Sequence, residues 1–519
     1  MKKKNNDDNI IRTSFIETND KLIEECYSTE NGVCYAIWDG KEVKYATDFI
    51  EDGQEFNPIF SEEVVNRAIH LPSKAEEYGT DEELDKEIMD FISKWLDIPD
   101  DFKTFALWNI KRSWVYERFH TLNYLRALGD TGMGKSRFLD TLGALHYKSI
   151  STSGATTSAP IFRIIKKWKG TVLMDESDFT KTDETQDIIK IINMGYEKGK
   201  FVMRCDQNDN NIINFFDPYC PKILATRKTF EDKAVESRCI THIMTGTTNT
   251  KIPTNLNDDF FDGALKIRNK LLMWRFRNYW DIDPEVKVDL GTELESRVKQ
   301  IVNSFVSMFC NDEKQLDKFK VFIKNYQEDL IDERRTSFYG EVVGAIHELL
   351  KEGYIKINAQ DVIDKGSLVG WDNKPAKPRG LTSVLKALGF HKTKIAKVDG
   401  KTKRIIPLNE EHLTNLFKRY GYEVTVVTVI CGIPQIENQG KVTERGGLPI
   451  YRNNRNSVTQ EKQQKIEEID LTPQNSQEFE TNLIEFRKCS QPDCENYETN
   501  PDSEGNPFCK DHWTGYAKK

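Results

Sequence analysis

Eight consecutive residues in the first third of the chain constrain its fold more than any other feature. They match in full the phosphate-binding pattern GxxxxGK[ST] and read Gly129, Asp130, Thr131, Gly132, Met133, Gly134, Lys135 and Ser136. Glycines at this spacing let consecutive backbone N–H groups turn toward phosphate oxygens. An apolar segment, 122–128, precedes the loop and a helical pattern follows it, so we predict a strand, the P-loop and a helix in that order. An ordinary glycine turn is the alternative, which this context disfavours.

The end of the P-loop and a later strand contain the residues that we predict to bind ATP and Mg²⁺. The Lys135 ammonium is placed to reach the β- and γ-phosphates of ATP, and the Ser136 hydroxyl to ligate Mg²⁺. A second apolar strand, 170–174, ends in Asp175 and Glu176, which is the Walker B arrangement. In it Asp175 holds Mg²⁺ through water, and Glu176 orients and polarises the attacking water. The alternative is an acidic pair at the solvated end of a strand, which the P-loop upstream makes less plausible.

The elements after this strand indicate the class of P-loop protein. Two strand patterns, 201–205 and 212–216, flank a polar tip and predict a β-hairpin. An apolar strand ending on Thr226 follows, and Arg238 then precedes a further strand. This order resembles the AAA+ ATPases, most closely the pre-sensor-1 β-hairpin clade that includes minichromosome maintenance and superfamily 3 helicases. Within that clade the sequence looks like the replicative helicases of mobile genetic elements and phages, over roughly residues 85–250.

The resemblance implies roles for several side chains. Thr226 takes the sensor 1 position, with a hydroxyl in place of the usual asparagine amide. Arg238 takes the position of the arginine finger that reaches the γ-phosphate on a neighbouring subunit; Arg227 is the rival, and a plain surface arginine is the alternative. A ring-forming homo-oligomer, a hexamer, is implied as well. The hairpin tip lacks the lysine expected of a DNA translocator, so the nearby cations Lys200 and Arg204 are assigned to DNA contact.

A basic segment lies in the C-terminal half. From 337 to 405 the pattern predicts helix, short strand, helix, third helix and a β-hairpin, which is winged-helix topology. Ten Lys and Arg but one Asp occur from Lys374 to Arg404. This concentration indicates phosphate contact, although an ordinary solvated wing is the alternative. The side chains assigned to DNA here are Arg379, Lys386, Lys394, Lys397, Lys403 and Arg404.

Four residues near the C-terminus have the spacing of a metal site. The pattern Cys-x4-Cys-x14-Cys-x2-His is formed by Cys489, Cys494, Cys509 and His512. Three thiolates and one imidazole suit tetrahedral Zn²⁺, and four ligands leave no open position for catalysis. The polar sequence around them is too short to bury a core, so the metal would supply much of its folding free energy. We predict a structural zinc module; unrelated free thiols are the alternative.

Total charge and hydropathy limit which partners and which cellular location the sequence predicts. The 519 residues carry 74 Lys and Arg against 83 Asp and Glu, a net charge of -9, which by itself argues against a nucleic-acid partner. The basic segment at 374–404 reverses that inference, because acidic and basic residues are segregated along the chain. The apolar windows are too short to span a bilayer and the N-terminus lacks a signal-peptide core, so a cytoplasmic protein with no membrane contact is predicted.

Together these patterns predict a multidomain α/β protein built around an AAA+ P-loop NTPase. The predicted order is an N-terminal α+β domain (1–85), the ATPase domain with a helical lead-in (86–290), a helical linker or lid (291–335), a C-terminal winged-helix DNA-binding domain (336–450), a polar linker (451–482) and a small zinc-binding module (483–519).

The predicted function is an ATP-dependent DNA helicase of the replicative, self-loading type, belonging to a mobile element or phage. ATP, Mg²⁺ and Zn²⁺ are the predicted cofactors, and the partners are single-stranded and forked duplex DNA, further copies of the chain, and other replication proteins of the element. One alternative is an AAA+ replication initiator or helicase loader that uses ATP as an assembly switch on DNA without unwinding it. A third option is a defence or packaging ATPase, for which the tail provides no support.

Overall fold

The computed structural model describes most of the chain. The described residues are 10–152, 156–175, 183–205, 212–288, 290, 294–309, 312–370, 374–391, 394–398, 400–424, 500–501 and 507–508. They belong to two compact units, Met1–Ile436 and Glu437–Lys519. None of the helices among them is both long and apolar enough to cross a bilayer.

Two small sheets and a short helix begin the first unit. The elements are β1 (Ile10–Arg12), β2 (Phe15–Glu17), β3 (Leu22–Ser28), β4 (Gly32–Trp38), β5 (Val43–Ala46), β6 (Phe49–Glu51), β7 (Gln54–Asn57) and α1 (Glu62–Val65). Strands β2 to β5 form an antiparallel sheet in chain order, and β1, β7 and β6 form the other sheet in that order. Five consecutive residues of β3 are buried, so both faces of this strand are covered: Leu22 and Cys26 belong to the large core cluster, and Ile23 packs in a small cluster on the other face.

Two helices lead from these sheets to the P-loop; the first is amphipathic and the second is buried on all sides over residues 105–113. They are α2 (Asp81–Trp95) and α3 (Asp100–Ser113). A capping box begins α2, since the Thr80 side chain accepts from Glu83 N and the Glu83 carboxylate accepts from Thr80 N. Pro99 is the N-cap of α3, because proline is tolerated at a helix start but breaks a helix interior.

A five-stranded parallel sheet carries the P-loop. The elements of this region are β8 (Tyr124–Leu128), α4 (Lys135–Gly143), β9 (Ile150–Thr152), α5 (Ser158–Trp168), β10 (Val172–Met174), α6 (Asp183–Met194), β11 (Val202–Cys205), β12 (Ile213–Phe216), β13 (Lys222–Thr226), α7 (Lys233–Glu236) and β14 (Cys239–Ile243). The sheet order is β14-β8-β13-β10-β9, and β11 and β12 form a separate antiparallel hairpin. The predicted strand before the P-loop, the helix after it and the hairpin are therefore present.

Helices cover both faces of this sheet. Apolar side chains of α5 and α6 pack with those of β10 and β13 in one cluster on one face. Side chains of α2, α3 and α4 form a larger cluster with α8 (Asp258–Asn278), α9 (Ser296–Phe309) and α10 (Glu313–Thr336) on the other. Leu22 and Trp38 of the N-terminal sheet belong to this larger cluster too, so the core is continuous across residue 85.

A buried ion cluster joins the N-terminal sheet to the ATPase region. Glu24 is 1 % exposed and lies 2.7 Å from both the Lys148 ammonium and the Arg275 guanidinium. Tyr147 also donates to Glu24, and Arg275 pairs with Glu117 at 3.0 Å. Buried charges persist only when they are paired and hydrogen-bonded, so this cluster requires the two regions to fold together.

The end of the first unit is a helical bundle with a hairpin. Its elements are α11 (Phe338–Lys351), α12 (Ala359–Gly366), α13 (Pro378–Ala387), β15 (Lys394–Val398), β16 (Lys401–Ile405) and α14 (Glu410–Arg419). The three helices and β-hairpin occur in the predicted order, and Asn358 forms a bridge with Ile405. Its core is separate from the ATPase core. In the second unit the described residues form two short antiparallel strands, β17 (Asn500–Pro501) and β18 (Pro507–Phe508).

Candidate active site

The P-loop has the backbone conformation that its glycines permit. Gly132 and Gly134 have φ angles of +82° and +90°, which a residue with a Cβ adopts only under strain. At Gly129 an added Cβ would come within 2.9 Å of the Met244 carbonyl oxygen, so the loop also needs glycine for close approach to the segment after β14. Lys135, the first residue of α4, is 8 % exposed. The loop can therefore direct its N–H groups and the α4 N-terminus at a phosphate.

Two predicted magnesium ligands meet at the carboxyl edge of the sheet. Ser136 Oγ donates to Asp175 Oδ2 at 2.9 Å, although the two residues belong to different elements. Asp175 N in turn donates to Thr152 O at 3.1 Å, which fixes the start of the segment after β10. A hydroxyl and a carboxylate are the hard oxygen ligands that Mg²⁺ prefers, so these residues fit the ion that ATP carries. Glu176 lies outside the described residues.

A second acidic side chain interacts with Asp175. Asp140 of α4 has its pKa raised, first by burial and then by the negative charge of Asp175, while the Arg137 guanidinium opposes the shift. The negative charge of Asp140 adds to that of Asp175, and such charge favours a divalent cation. The loop lysine is also engaged locally, because Lys135 Nζ donates to the Asp130 carbonyl oxygen at 2.7 Å.

Thr226 lies between the P-loop and the Walker B strand. Strand β13 separates β8 from β10 in the sheet, and Thr226 at its carboxyl end is in register with Leu128. Gly129 N donates to Thr226 O at 3.1 Å. Thr226 is fully buried, and its Oγ1 has no hydrogen-bond partner among the described residues. A buried hydroxyl without a partner is costly, so its position beside the P-loop indicates a ligand or water as its partner. The rival finger residue, Arg227, is the next residue and is exposed.

Arg238 lies at the opposite edge of the sheet. Tyr124 N donates to Arg238 O at 2.9 Å, so Arg238 precedes β14 beside the start of β8. The P-loop follows the other end of β8, about 13 Å away along the strand. The Arg238 guanidinium lies 5.1 Å from the centre of the Tyr196 ring and donates to the Ala234 carbonyl oxygen. Within one chain Arg238 and the P-loop are therefore at opposite edges.

An ion pair that the sequence analysis did not predict anchors the segment before Arg238. Arg126 of β8 is 2 % exposed and forms a bidentate pair with Glu236 of α7, at 2.5 and 2.6 Å. Phe230 N also donates to Glu236. An arginine inside an apolar strand was the available signal, because a buried guanidinium requires a carboxylate partner. The position of that partner could not be predicted from local pattern.

The two hairpin cations have different surroundings. Arg204 donates to Asp187 Oδ2 at 2.6 Å and to Ser158 Oγ at 3.0 Å, and it lies over the Phe162 ring. Lys200 is exposed and makes a longer contact with Glu197, at 3.7 Å. In the described residues of the hairpin, 201–205 and 212–216, the exposed side chains are apolar apart from the Cys205 thiol; they are Phe201, Met203, Cys205, Ile212, Ile213 and Phe215.

The six cations predicted in the C-terminal bundle occupy neighbouring elements. Their positions are Arg379 and Lys386 on α13, Lys394 and Lys397 on β15, and Lys403 and Arg404 on β16. Five are exposed and Lys403 is half-buried. None of the six has an acidic side chain within 4 Å among the residues that the structure describes. The helix and hairpin thus present unneutralised positive charge on adjoining elements.

The predicted zinc ligands Cys489, Cys494, Cys509 and His512 lie outside the described residues. In the described part of the chain, no group of three or more His, Cys, Asp or Glu side chains could hold a metal ion.

Comparisons with known proteins give distant structural matches. No protein-family model matches the chain, and no curated protein matches it. The apo structure of the NrS-1 C-terminal region is 12% identical, with a TM-score of 0.33, and the match covers 74% of this chain and 95% of that one. The structure described as the active helicase SCCmec type IV Cch is 11% identical, with a TM-score of 0.36, and covers 79% and 80%. Both TM-scores are below 0.5, so these matches assign no function to the chain.

Proposed function

We propose that this chain is an ATP-dependent DNA helicase of the replicative, self-loading type, carried by a mobile element or phage. The observation that carries the proposal is the contact between Ser136 and Asp175 at the carboxyl edge of the parallel sheet, directly below the P-loop. That edge brings together a phosphate cradle, two oxygen ligands suited to Mg²⁺ and a buried hydroxyl without a partner. Such a set is suited to phosphoryl transfer to water.

Each residue at this edge has a role in hydrolysis. The P-loop N–H groups and the Lys135 ammonium hold the β- and γ-phosphates and stabilise the charge that develops on them. Ser136 and Asp175 would hold Mg²⁺, which would neutralise phosphate charge. Glu176 accepts the proton of the attacking water, and the Thr226 hydroxyl fixes the position of that water. Binding and orientation of the substrate thus depend on residues from three neighbouring strands.

The arginine finger acts between subunits in this proposal. Arg238 is at the edge of the sheet opposite to its own P-loop, so the γ-phosphate that it reaches belongs to a neighbouring copy. A head-to-tail interface of this kind closes into a ring when the rotation between subunits permits it, and we propose a hexamer. ATP hydrolysis in one subunit is then sensed by its neighbour.

DNA contact is assigned to surfaces away from the ATP site. The C-terminal bundle has the element order of a winged helix, and the exposed cations on α13, β15 and β16 would contact phosphates there. The zinc module would be a second, structural element that contacts DNA or a partner protein. Among the hairpin cations, Lys200 is the better candidate, because Arg204 is bound to Asp187 and Ser158.

Unwinding of a forked duplex tests the proposal. The wild-type chain should displace the labelled strand when ATP and Mg²⁺ are present, and Lys135→Ala should abolish both turnover and displacement. Lys200→Ala should slow displacement more than turnover, whereas Arg204→Ala should act mainly through hairpin stability. Turnover of ATP with duplex binding but without strand displacement would contradict a helicase.

ATP turnover and duplex binding without strand displacement is the result expected of the second candidate function. This candidate is an initiator or loader that uses ATP as an assembly switch. The specific observation in its favour is the hairpin. The exposed side chains of its described strands are largely apolar and Arg204 is engaged within the protein, so these strands offer little of the charge expected of a translocating hairpin. The unwinding experiment separates the two candidates, because both require ATP and DNA binding but only the helicase requires displacement.

A further inference from the structure

A cavity lined by cations lies where the first strands meet the end of α5. Its volume is about 340 Å³, and it is formed by residues 12–15 and by the C-terminal half of α5 with the residue that follows. Of the eight described residues that line it, five are basic and none is acidic; the basic residues are Arg12, Arg163, Lys166, Lys167 and Lys169. None of them belongs to the ATP site or to the C-terminal basic segment.

Most of this charge is not neutralised by residues that the structure describes. Lys167 pairs with Glu63 at 3.0 Å. Arg12, Arg163, Lys166 and Lys169 are exposed, and none of them has an acidic side chain within 4 Å in the described part of the chain. Lysines in the last turn of a helix compensate its dipole, but that effect does not account for Arg12, which belongs to another segment. Like charges collected from two segments repel one another, and a bound anion would relieve that repulsion.

Buried contacts hold the two sides of the cavity together. Lys148 is 1 % exposed, pairs with Glu24 and donates to the Ser14 carbonyl oxygen at 2.6 Å. Ser14 Oγ donates to the Trp168 carbonyl oxygen at 3.2 Å, which ties the β1–β2 connection to the end of α5. The cavity therefore has walls that are positioned before any ligand binds.

The backbone at Lys169 fixes the end of the cavity wall. Lys169 ends α5 with φ +47° and ψ +41°, the left-handed conformation in which glycine is the usual residue. Tyr116 Oη donates to the Lys169 carbonyl oxygen at 2.7 Å and helps to hold that conformation. The Lys169 side chain, which a glycine would lack, lines the cavity.

We propose that this cavity binds the sugar-phosphate backbone of single-stranded DNA, as a contact separate from the C-terminal bundle. The choice of DNA rests on the proposed function. The cations from Arg163 to Lys169 extend about 9 Å along the helix, which is long for one phosphate but matches two or three phosphates of one strand. The site has charge but few groups that could read base edges, so binding is independent of sequence.

The salt dependence of oligonucleotide binding tests this site. The ligand is a labelled oligothymidylate and the protein is the full chain, with affinity measured over a series of NaCl concentrations. The double variant Arg163→Glu, Lys166→Glu should bind about 10-fold more weakly, and the slope of log affinity against log salt should fall by about 1.4, because two phosphate contacts are lost. The matched control is Lys86→Glu, Lys314→Glu, which makes the same number of charge reversals at exposed lysines of α2 and α10.

A second variant separates binding from folding. Lys169→Gly should raise the thermal unfolding midpoint, because glycine relieves the left-handed strain, and should still weaken oligonucleotide binding. A general loss of structure would instead lower both the unfolding midpoint and the affinity for the oligonucleotide.

The possible outcomes are distinct. An unchanged salt slope in the double variant overturns the cavity proposal, and so does poly-glutamate or inorganic phosphate competing as well as DNA, since these identify an acidic-peptide or single-phosphate site. Neither result affects the helicase proposal as long as the wild-type chain binds and unwinds DNA. A wild-type chain that binds no DNA contradicts the proposed function itself.

Discussion

At the scale of single residues, a substitution of Thr226 should change ATP turnover and folding stability in opposite directions. We expect Thr226→Val to lower ATP turnover about 100-fold, because it removes a hydroxyl that positions the attacking water. The same change should stabilise the fold by about 1 kcal/mol, because a buried hydroxyl without a partner is replaced by a methyl group of similar size. Turnover assays and urea unfolding measure the two effects. Thr226→Ser keeps the hydroxyl and is the control; normal turnover in Thr226→Val would exclude a role for the hydroxyl.

Glu25 makes stability depend on pH. Burial, opposed by a hydrogen bond from Ile59 N and by the charges of Lys148 and Lys167, raises the pKa of Glu25 to about 8 in the folded chain. Between its ordinary value of 4.5 and about 8 the folded state keeps a proton that the unfolded state has released, so rising pH favours unfolding.

Thermal unfolding between pH 5.5 and 8.5, a range that covers most of this window, measures the Glu25 effect. The wild-type chain should lose at most about 1.4 kcal/mol per pH unit through this group. Glu25→Gln, which has no carboxyl to titrate, should show a flatter dependence on pH. Parallel curves for the two chains would contradict the buried, protonated carboxyl.

At the scale of elements, the pair between Arg126 and Glu236 connects the P-loop strand to α7, the helix that leads to Arg238. We expect Glu236→Gln to destabilise the fold by about 3 kcal/mol, at the low end for buried pairs because Glu236 is partly exposed. ATP turnover in the assembled protein should fall further than this loss explains, since the segment before Arg238 loses its anchor.

The control for Glu236→Gln makes the same chemical change at an exposed site. Glu42→Gln removes a surface contact with Lys44, at 2.7 Å, and should change stability by less than about 0.5 kcal/mol. Urea unfolding and turnover of both variants provide the comparison. Equal effects at the two sites would show that the buried pair has no special role.

Several helices and strands occur where the sequence predicts them, because the residue patterns that specify them are local. The strand before the P-loop, the helix from Lys135 and the hairpin at β11 and β12 follow from apolar periodicity and glycine spacing within about 20 residues. The contacts of these elements are not local in the same way: Ser158, the first residue of α5, accepts a hydrogen bond from Arg204 of the hairpin, 46 positions along the chain.

At the scale of the whole molecule, the position of Arg238 predicts complementation between inactive chains. Lys135→Ala and Arg238→Ala should each be inactive alone. Mixed in equal amounts and allowed to exchange, they should recover activity in about a quarter of the sites, where an intact P-loop meets an intact arginine from its neighbour. ATP turnover after mixing measures this. A mixture as inactive as its components would contradict an arginine that acts between subunits.

The hydrophobic core of the ATPase region also extends across a domain boundary that the sequence suggests. Composition places a boundary at residue 85, yet Leu22 and Trp38 share one apolar cluster with the ATPase helices, and Glu24 neutralises Lys148 and Arg275. Contacts between residues more than a hundred positions apart leave no periodic signal. A carboxylate in the middle of a buried strand was the available sign that distant cations pack against it.

The amino-acid sequence alone was enough to locate the P-loop and the Walker B strand, because a phosphate cradle is built from the local conformation of a few glycines. Folding determined the rest. Sheet order placed Thr226 between the two motifs and Arg238 at the far edge, and packing neutralised Arg204 while leaving Arg163 and Lys166 exposed. Whether a charged side chain is available to a ligand depends on the residues that lie next to it in the folded chain. Many of these residues are distant in sequence, so the local sequence does not reveal them.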